Sequence, residues 1–249
     1  MENTVSKNKI LTALAAGAVI VVLMGLAFLP LSNRADTDAL AAGREVKGDA
    51  VQALYDCAEY AERNGFNAEL TGTVKARVVG VPYTLNVRGE RRVNGAEFAS
   101  VRESVSPAVK RGYKTECVEG EYRVYRGTFD KATGEFVYGT PETIDKTSFT
   151  ATYGDPSALF RYNIDGNILS AERVGENVYR YTLDPVAADS CKAEVGMLAK
   201  CKTPPEYNSI ELTLITDGTR AVKISAVEKF RLDKLGGVDC VAEYEENFK

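Results

Sequence analysis

The sequence predicts a mainly β (α+β) chain. It should form a curved antiparallel sheet or half-barrel of about nine to eleven strands, with an N-terminal helix and a short helical insertion, preceded by one transmembrane helix. Three observations predict this. From Phe66 onward, segment after segment alternates apolar and polar residues with period two, the pattern of strands with one buried and one wet face. Turn pairs such as Asn94-Gly95, Glu119-Gly120 and Asp217-Gly218 separate these segments at short intervals, which favours a meander. A single amphipathic helical segment precedes them. So many strands do not lie in a flat open sheet, so curvature or closure follows.

The first element is a run of 22 residues without a charge, Ile10–Leu31. At helical rise it spans about 33 Å, enough for a hydrocarbon core of roughly 30 Å. It is longer than the apolar part of a cleaved signal peptide, so it reads as an uncleaved signal anchor; cleavage near Ala35 is the alternative. No cysteine follows the run until Cys57, which closes the lipoprotein route. Flanking positive charges are balanced, but the short tail and the position of all five cysteines favour a cytoplasmic N-terminus. The expected organisation is a cytoplasmic tail (1–9), a membrane span (10–31), a linker (32–48) and an extracytoplasmic β domain (49–249) of the cell membrane. Beyond residue 31 the chain carries 29 basic and 34 acidic side chains, a net of −5.

The helix begins at Asp49, a cap with Gln52 three residues on, and ends at Asn64-Gly65. Ala50 or Val51, Leu54, Cys57 or Ala58, and Ala61 form its apolar face. Strands follow at Phe66–Val78, then around Tyr83, Leu85 and Val87, then EFASVRESVS, RGYKTECVE and EYRVYRGTF. Residues 128–165 read as loops with one hairpin and a short helix starting at Asp155-Pro156. NILSAERVG and ENVYRYTLDP resume the meander, and residues 185–205 form a cysteine-bracketed helical insertion. Two clear strands close the pattern, one with Ile210, Leu212 and Leu214 inward, the other with Val222, Ile224, Ala226, Phe230 and Leu232 inward.

The composition excludes much chemistry. The chain has no histidine and no tryptophan, which removes Ser-His-Asp and Cys-His catalysis and histidine-ligated zinc. A net charge of −4 and a pI near 5.2 argue against a nucleic-acid partner. No GxSxG, P-loop or strand-linked GxGxxG motif is present, no carboxylate spacing selects a catalytic pair, and Asp36-Thr37-Asp38 lacks the rest of a calcium loop. The expectation is a non-enzymatic chain with no catalytic residues, no metal site and no cofactor. Cys191 and Cys201, ten apart, suit a local disulfide; reduced, buried cysteines are the alternative. Glu228 stands on the apolar face between Ala226 and Phe230. A buried carboxylate needs a partner, so it is either a polar group at a cavity mouth or part of a bulge or salt bridge.

One helix followed by a long antiparallel meander, from NAELTGTVKARVVGVPYTLNVRGERRVNG to SIELTLITDGTRAVKISAVEKFRL, resembles the LolA/LolB-like lipoprotein-carrier superfamily and its membrane-anchored, Gram-positive-type relatives. The likeness covers about Asp49 to Phe248. It implies a half-barrel with helices over its concave side, holding a lipid, lipopeptide or other apolar ligand there. The implied lining is Leu70, Val74, Tyr83, Leu85, Val87, Ile210, Leu212, Leu214, Val222, Ile224, Glu228 and Phe230. Alternatively the same side chains pack on Leu54, Ala58 and Ala61, giving a ligand-free protein-interaction or sensor ectodomain of the envelope. The implied partners are the membrane, through Ile10–Leu31, and a lipid or an envelope protein.

Overall fold

The computed structural model describes residues 48–199, 201–233 and 237–249. The apolar segment Ile10–Leu31, its preceding tail and the tether up to residue 47 lie outside the described residues. Among those described, no helix is long and apolar enough to cross a membrane.

Helix α1 (Gly48–Asn64) buries Ala50, Leu54, Cys57 and Ala61 at helical spacing. Gln52 donates to Asp56 at 2.7 Å rather than reaching back toward Asp49. The helix stops at Gly65, whose φ of 69° suits glycine and whose N–H donates to Ala61 O at 2.8 Å. A Cβ at Gly65 would lie 2.2 Å from Val93 O, so the position is closed to larger residues.

Twelve strands follow in one antiparallel sheet: β1 Phe66–Val78, β2 Val81–Asn94, β3 Glu97–Val105, β4 Lys110–Val118, β5 Glu121–Phe129, β6 Phe136–Tyr138, β7 Glu142–Ile144, β8 Ile168–Gly175, β9 Val178–Leu183, β10 Glu206–Thr216, β11 Ala221–Leu232 and β12 Val238–Phe248. The chain steps outward from β1 to β6, with β7 pairing β5. It then reappears at the far edge as β8 and steps back inward to β12. β12 pairs β1 from Ala68↔Phe248 to Ala76↔Cys240, so the first and last strands are neighbours at the sheet centre. β6 and β8 do not meet; the sheet is curved and open.

The helical pieces cover one face. The Tyr181 hydroxyl donates to Ala50 O at 2.7 Å and fastens α1. Helix α2 (Lys146–Tyr153), capped by Asp145 accepting from Ser148 N at 3.0 Å, buries Phe149 against Val93, Phe98, Cys117 and Val124. A 3-10 turn (Pro185–Ser190) and helix α3 (Lys192–Leu198) lie over the centre, where Ser104 Oγ donates to Leu198 O at 3.1 Å.

Three expectations are corrected here. The described residues hold twelve strands, more than nine to eleven. β12 escapes notice because, of its inward set Val238, Cys240, Ala242, Tyr244 and Glu246, only Val238 is a branched aliphatic. No helix starts at Asp155-Pro156; the helix there lies earlier, as α2. The five cysteines, Cys191 and Cys201 included, form no disulfide. Seven helical residues between Cys191 and Cys201 rise about 10 Å, well beyond the ~6 Å Cα separation a disulfide needs. Their thiols turn instead to local carbonyls, Cys191 to Ala188 O at 3.4 Å and Cys201 to Ala199 O at 3.9 Å.

Candidate functional site

Register stacks the inward side chains in rows that cross β2, β1, β12, β11 and β10. One row is Tyr83, Ala76, Cys240, Phe230 and Tyr207; the next is Leu85, Val74, Ala242, Glu228 and Ile210. Then come Val87, Gly72, Tyr244, Ala226 and Leu212, and then Gly89, Leu70, Glu246, Ile224 and Leu214, which Arg102 of β3 extends. Between these rows and Val195 and Leu198 of α3 lies a cavity of about 270 Å³. Its walls are almost wholly apolar, and Arg102, Arg161, Glu194 and Tyr244 also border it. Ala76, Val78 and Tyr83 at one end are half-buried, whereas Leu70, Val87 and Arg102 at the other are buried, so the polar end is the inner one.

Six of the expected lining residues meet at this cavity: Leu70, Val74, Tyr83, Leu85, Val87 and Phe230. Ile210, Leu212 and Leu214 do not; they are fully buried in the core that includes α1. Leu212 and Ile224 border only a crevice of about 20 Å³. Val222 is 39% exposed, because the β10–β11 register shifts between Ile215 and Thr216 and turns Ala221 inward in its place. The concave face is therefore divided: packed under α1, hollow under α3. A more open groove of about 600 Å³ lies beside the C-terminal end of α1, near Tyr60, Arg92, Asn94 and Lys249, and its lining is as polar as it is apolar.

Glu228 is 0% exposed and does not border the cavity. It is neither at a bulge nor salt-bridged: the Tyr162 hydroxyl donates to Oε1, and Oε2 has no hydrogen-bond partner. Burial pushes its carboxyl up, and Arg161 and the Tyr162 hydrogen bond offset only part of that. In turn burial and Glu228 raise the Tyr162 and Tyr207 hydroxyls well above the usual phenol range.

Sequence inspection missed the rest of the polar cluster. Arg91 donates through Nε and Nη2 to Glu246 at 3.0 and 2.7 Å, and to Ala158 O and Leu159 O at 2.6 and 3.0 Å. Burial alone would raise Glu246, but Arg91 and Arg102 outweigh it and hold the carboxyl below its usual range. Arg102 reaches Glu194 through Nε and Glu246 through Nη2, both at 3.5 Å. Arg161 stands 3.7 Å from Glu194, with its guanidinium over the Tyr244 ring at 5.2 Å. The Tyr113 hydroxyl donates to Glu194. Two glycines make room: a Cβ at Gly72 would lie 2.3 Å from Tyr244 Cδ1, and one at Gly89 3.1 Å from Arg102 Cδ. The signal that could have found the cluster is parity, since Arg91 and Gly89 share the inward alternation of Leu85 and Val87. Among the described residues no three metal-ligating side chains gather.

No protein-family model matches the chain, and no curated protein is similar to it. Among solved structures, the chain is similar to a DUF1329 family protein from Desulfovibrio piger, at 10% identity, covering 78% of this chain and 90% of that one, with a TM-score of 0.32. It is also similar to a domain assigned to outer membrane lipoprotein sorting from Vibrio parahaemolyticus (12% identity, 80% and 91% covered, TM-score 0.32). A third is a LolA superfamily protein from Nitrosomonas europaea (13% identity, 80% and 93% covered, TM-score 0.27).

Proposed function

We propose that this chain is a membrane-anchored extracytoplasmic binding module, tethered by Ile10–Leu31, that holds a lipid, lipopeptide or other apolar ligand under α3. The observation that carries this reading is the cavity of about 270 Å³ with valine, leucine and phenylalanine walls. An apolar cavity of roughly 150 Å³ already holds benzene, so this one takes a stretch of alkyl chain. Each methylene moved from water into it contributes about 0.8 kcal/mol. The reading is one of binding without turnover: Glu194, Glu228 and Glu246 are each engaged by a tyrosine or an arginine.

Photolabelling tests it. The full chain is incubated with an alkyl diazirine, irradiated and mapped by peptide mass. Crosslinks should fall on β1, β2 and α3, around Val74, Leu85, Val195 and Leu198. Labelling confined to Ile10–Leu31, or to outward residues such as Val137 and Leu169, would sink the proposal.

A further inference from the structure

The inner end of the cavity is unusual in what it leaves unpaired. Arg102 Nη1 and Arg161 Nε are both buried without a hydrogen-bond partner, and the Arg102 side chain is only 7% exposed. Their other contacts are long, 3.5 Å from Arg102 to Glu194 and to Glu246, and 3.7 Å from Arg161 to Glu194. Charge-assisted pairs normally close to about 2.7–2.9 Å. The two carboxylates are also engaged elsewhere: Glu246 takes two bonds from Arg91, and Glu194 takes the Tyr113 hydroxyl. Two guanidiniums thus share acceptors that other donors hold more closely. Gly89 lets the Arg102 side chain lie close against β2, since a Cβ there would stand 3.1 Å from its Cδ and 3.3 Å from its Nη1.

We propose that the ligand is a single-chain fatty acid bound head inward, its carboxylate accepting from the guanidiniums of Arg102 and Arg161, which border the cavity, and its alkyl chain running out past Val74 and Leu85 toward Val78. This rests on the binding reading above and names its ligand class. Apolar walls ending in two planar guanidinium donors are complementary to an alkyl chain with a compact anion at its tip. The volume, less than twice the roughly 150 Å³ that holds benzene, takes one chain and not two. Glu194 on α3 competes with the ligand for both arginines. The other titratable groups around them are Arg91, Glu228, Glu246, Tyr113, Tyr162, Tyr207, Tyr244 and Cys191.

The test uses the full chain in non-ionic detergent with dodecanoic acid labelled with ¹³C at the carboxyl carbon. Dodecanol labelled at its first carbon serves as the neutral-headed control. The bound acid should give a resonance titrating about 1–3 pH units below the micellar acid, as a carboxylate beside arginine does. Arg102→Gln should return that titration toward the micellar value while dodecanol still binds. Glu194→Gln keeps an acceptor for Tyr113 and removes the rival charge, so it should lower the titration further. A bound acid that titrates with the micellar pool, or a Glu194→Gln chain with no downward shift, overturns the head-inward placement and leaves the binding reading standing. Absence of any bound resonance from both probes overturns both.

Discussion

Arg91 and Glu246 meet across β1, the guanidinium donating through Nε and Nη2 to both carboxylate oxygens at 3.0 and 2.7 Å, with both side chains buried. One comes from β2, the other from the end of the chain, so the pair ties the two halves of the sheet together. Arg91 also donates to Ala158 O and Leu159 O and so holds the segment that leads to Arg161. Breaking a buried pair on one side leaves a charge uncompensated, at a cost of about 3–5 kcal/mol. Glu246→Gln should lower the thermal midpoint of the full chain accordingly. Because the folded state holds Glu246 below its ordinary value, its contribution is present above pH ~4.3 and is lost as pH falls through the folded value. The variant should lack that acid-sensitive component.

Glu228 works in the opposite sense. Burial raises its carboxyl, so the folded chain holds the proton more tightly than the unfolded one does. Stability from this group is full below pH ~4.3 and declines as pH rises through the folded value. Glu228→Gln keeps the acceptor for Tyr162 and removes the charge. Melting curves from pH 4 to 8 should show the variant level with the wild type at the acid end and progressively more stable above it.

Gly89 is a test of space rather than of backbone freedom. A Cβ there would stand 2.4 Å from Val101 O, a backbone atom of the paired strand that cannot swing aside. Gly89→Ala should destabilise by about 1–3 kcal/mol, read as a lowered thermal midpoint, and should displace Arg102 from the inner end of the cavity.

The thiols give a prediction about reactivity. Burial pushes Cys57 and Cys191 up to about 11 each, which keeps them protonated and unreactive at pH 8. Iodoacetamide on the native chain should leave both unmodified, as peptide mapping reads. Reductant should not move the thermal midpoint.

How much of this was legible in the sequence depended on how loudly each side chain announced its face. The helix from Gly48 to Asn64 and the β10–β11 hairpin were legible because Leu54, Ile210, Leu212 and Phe230 repeat at the right period. β12 was not, because Cys240, Ala242 and Glu246 are inward without being aliphatic. Val222 misled because a register shift swaps it with Ala221, an irregularity that alternation cannot record. Glu228 stood out as a lone acid on an apolar row. Arg91 and Arg102 did not, because a single strand carrying an arginine looks like an exposed one until a carboxylate on another strand is placed opposite. The cavity itself was illegible: whether Val74 and Leu85 face a helix or a hollow is decided by where α3 comes to rest, not by their own spacing.

Native mass spectrometry of the full chain, released gently from detergent, tests the central claim most directly. The expected result is a wild-type mass carrying one apolar molecule, absent from a Val74→Trp chain in which the indole fills the space under α3. A wild-type chain that flies bare after incubation with alkyl ligands, or a Val74→Trp chain that carries the same adduct, would contradict it.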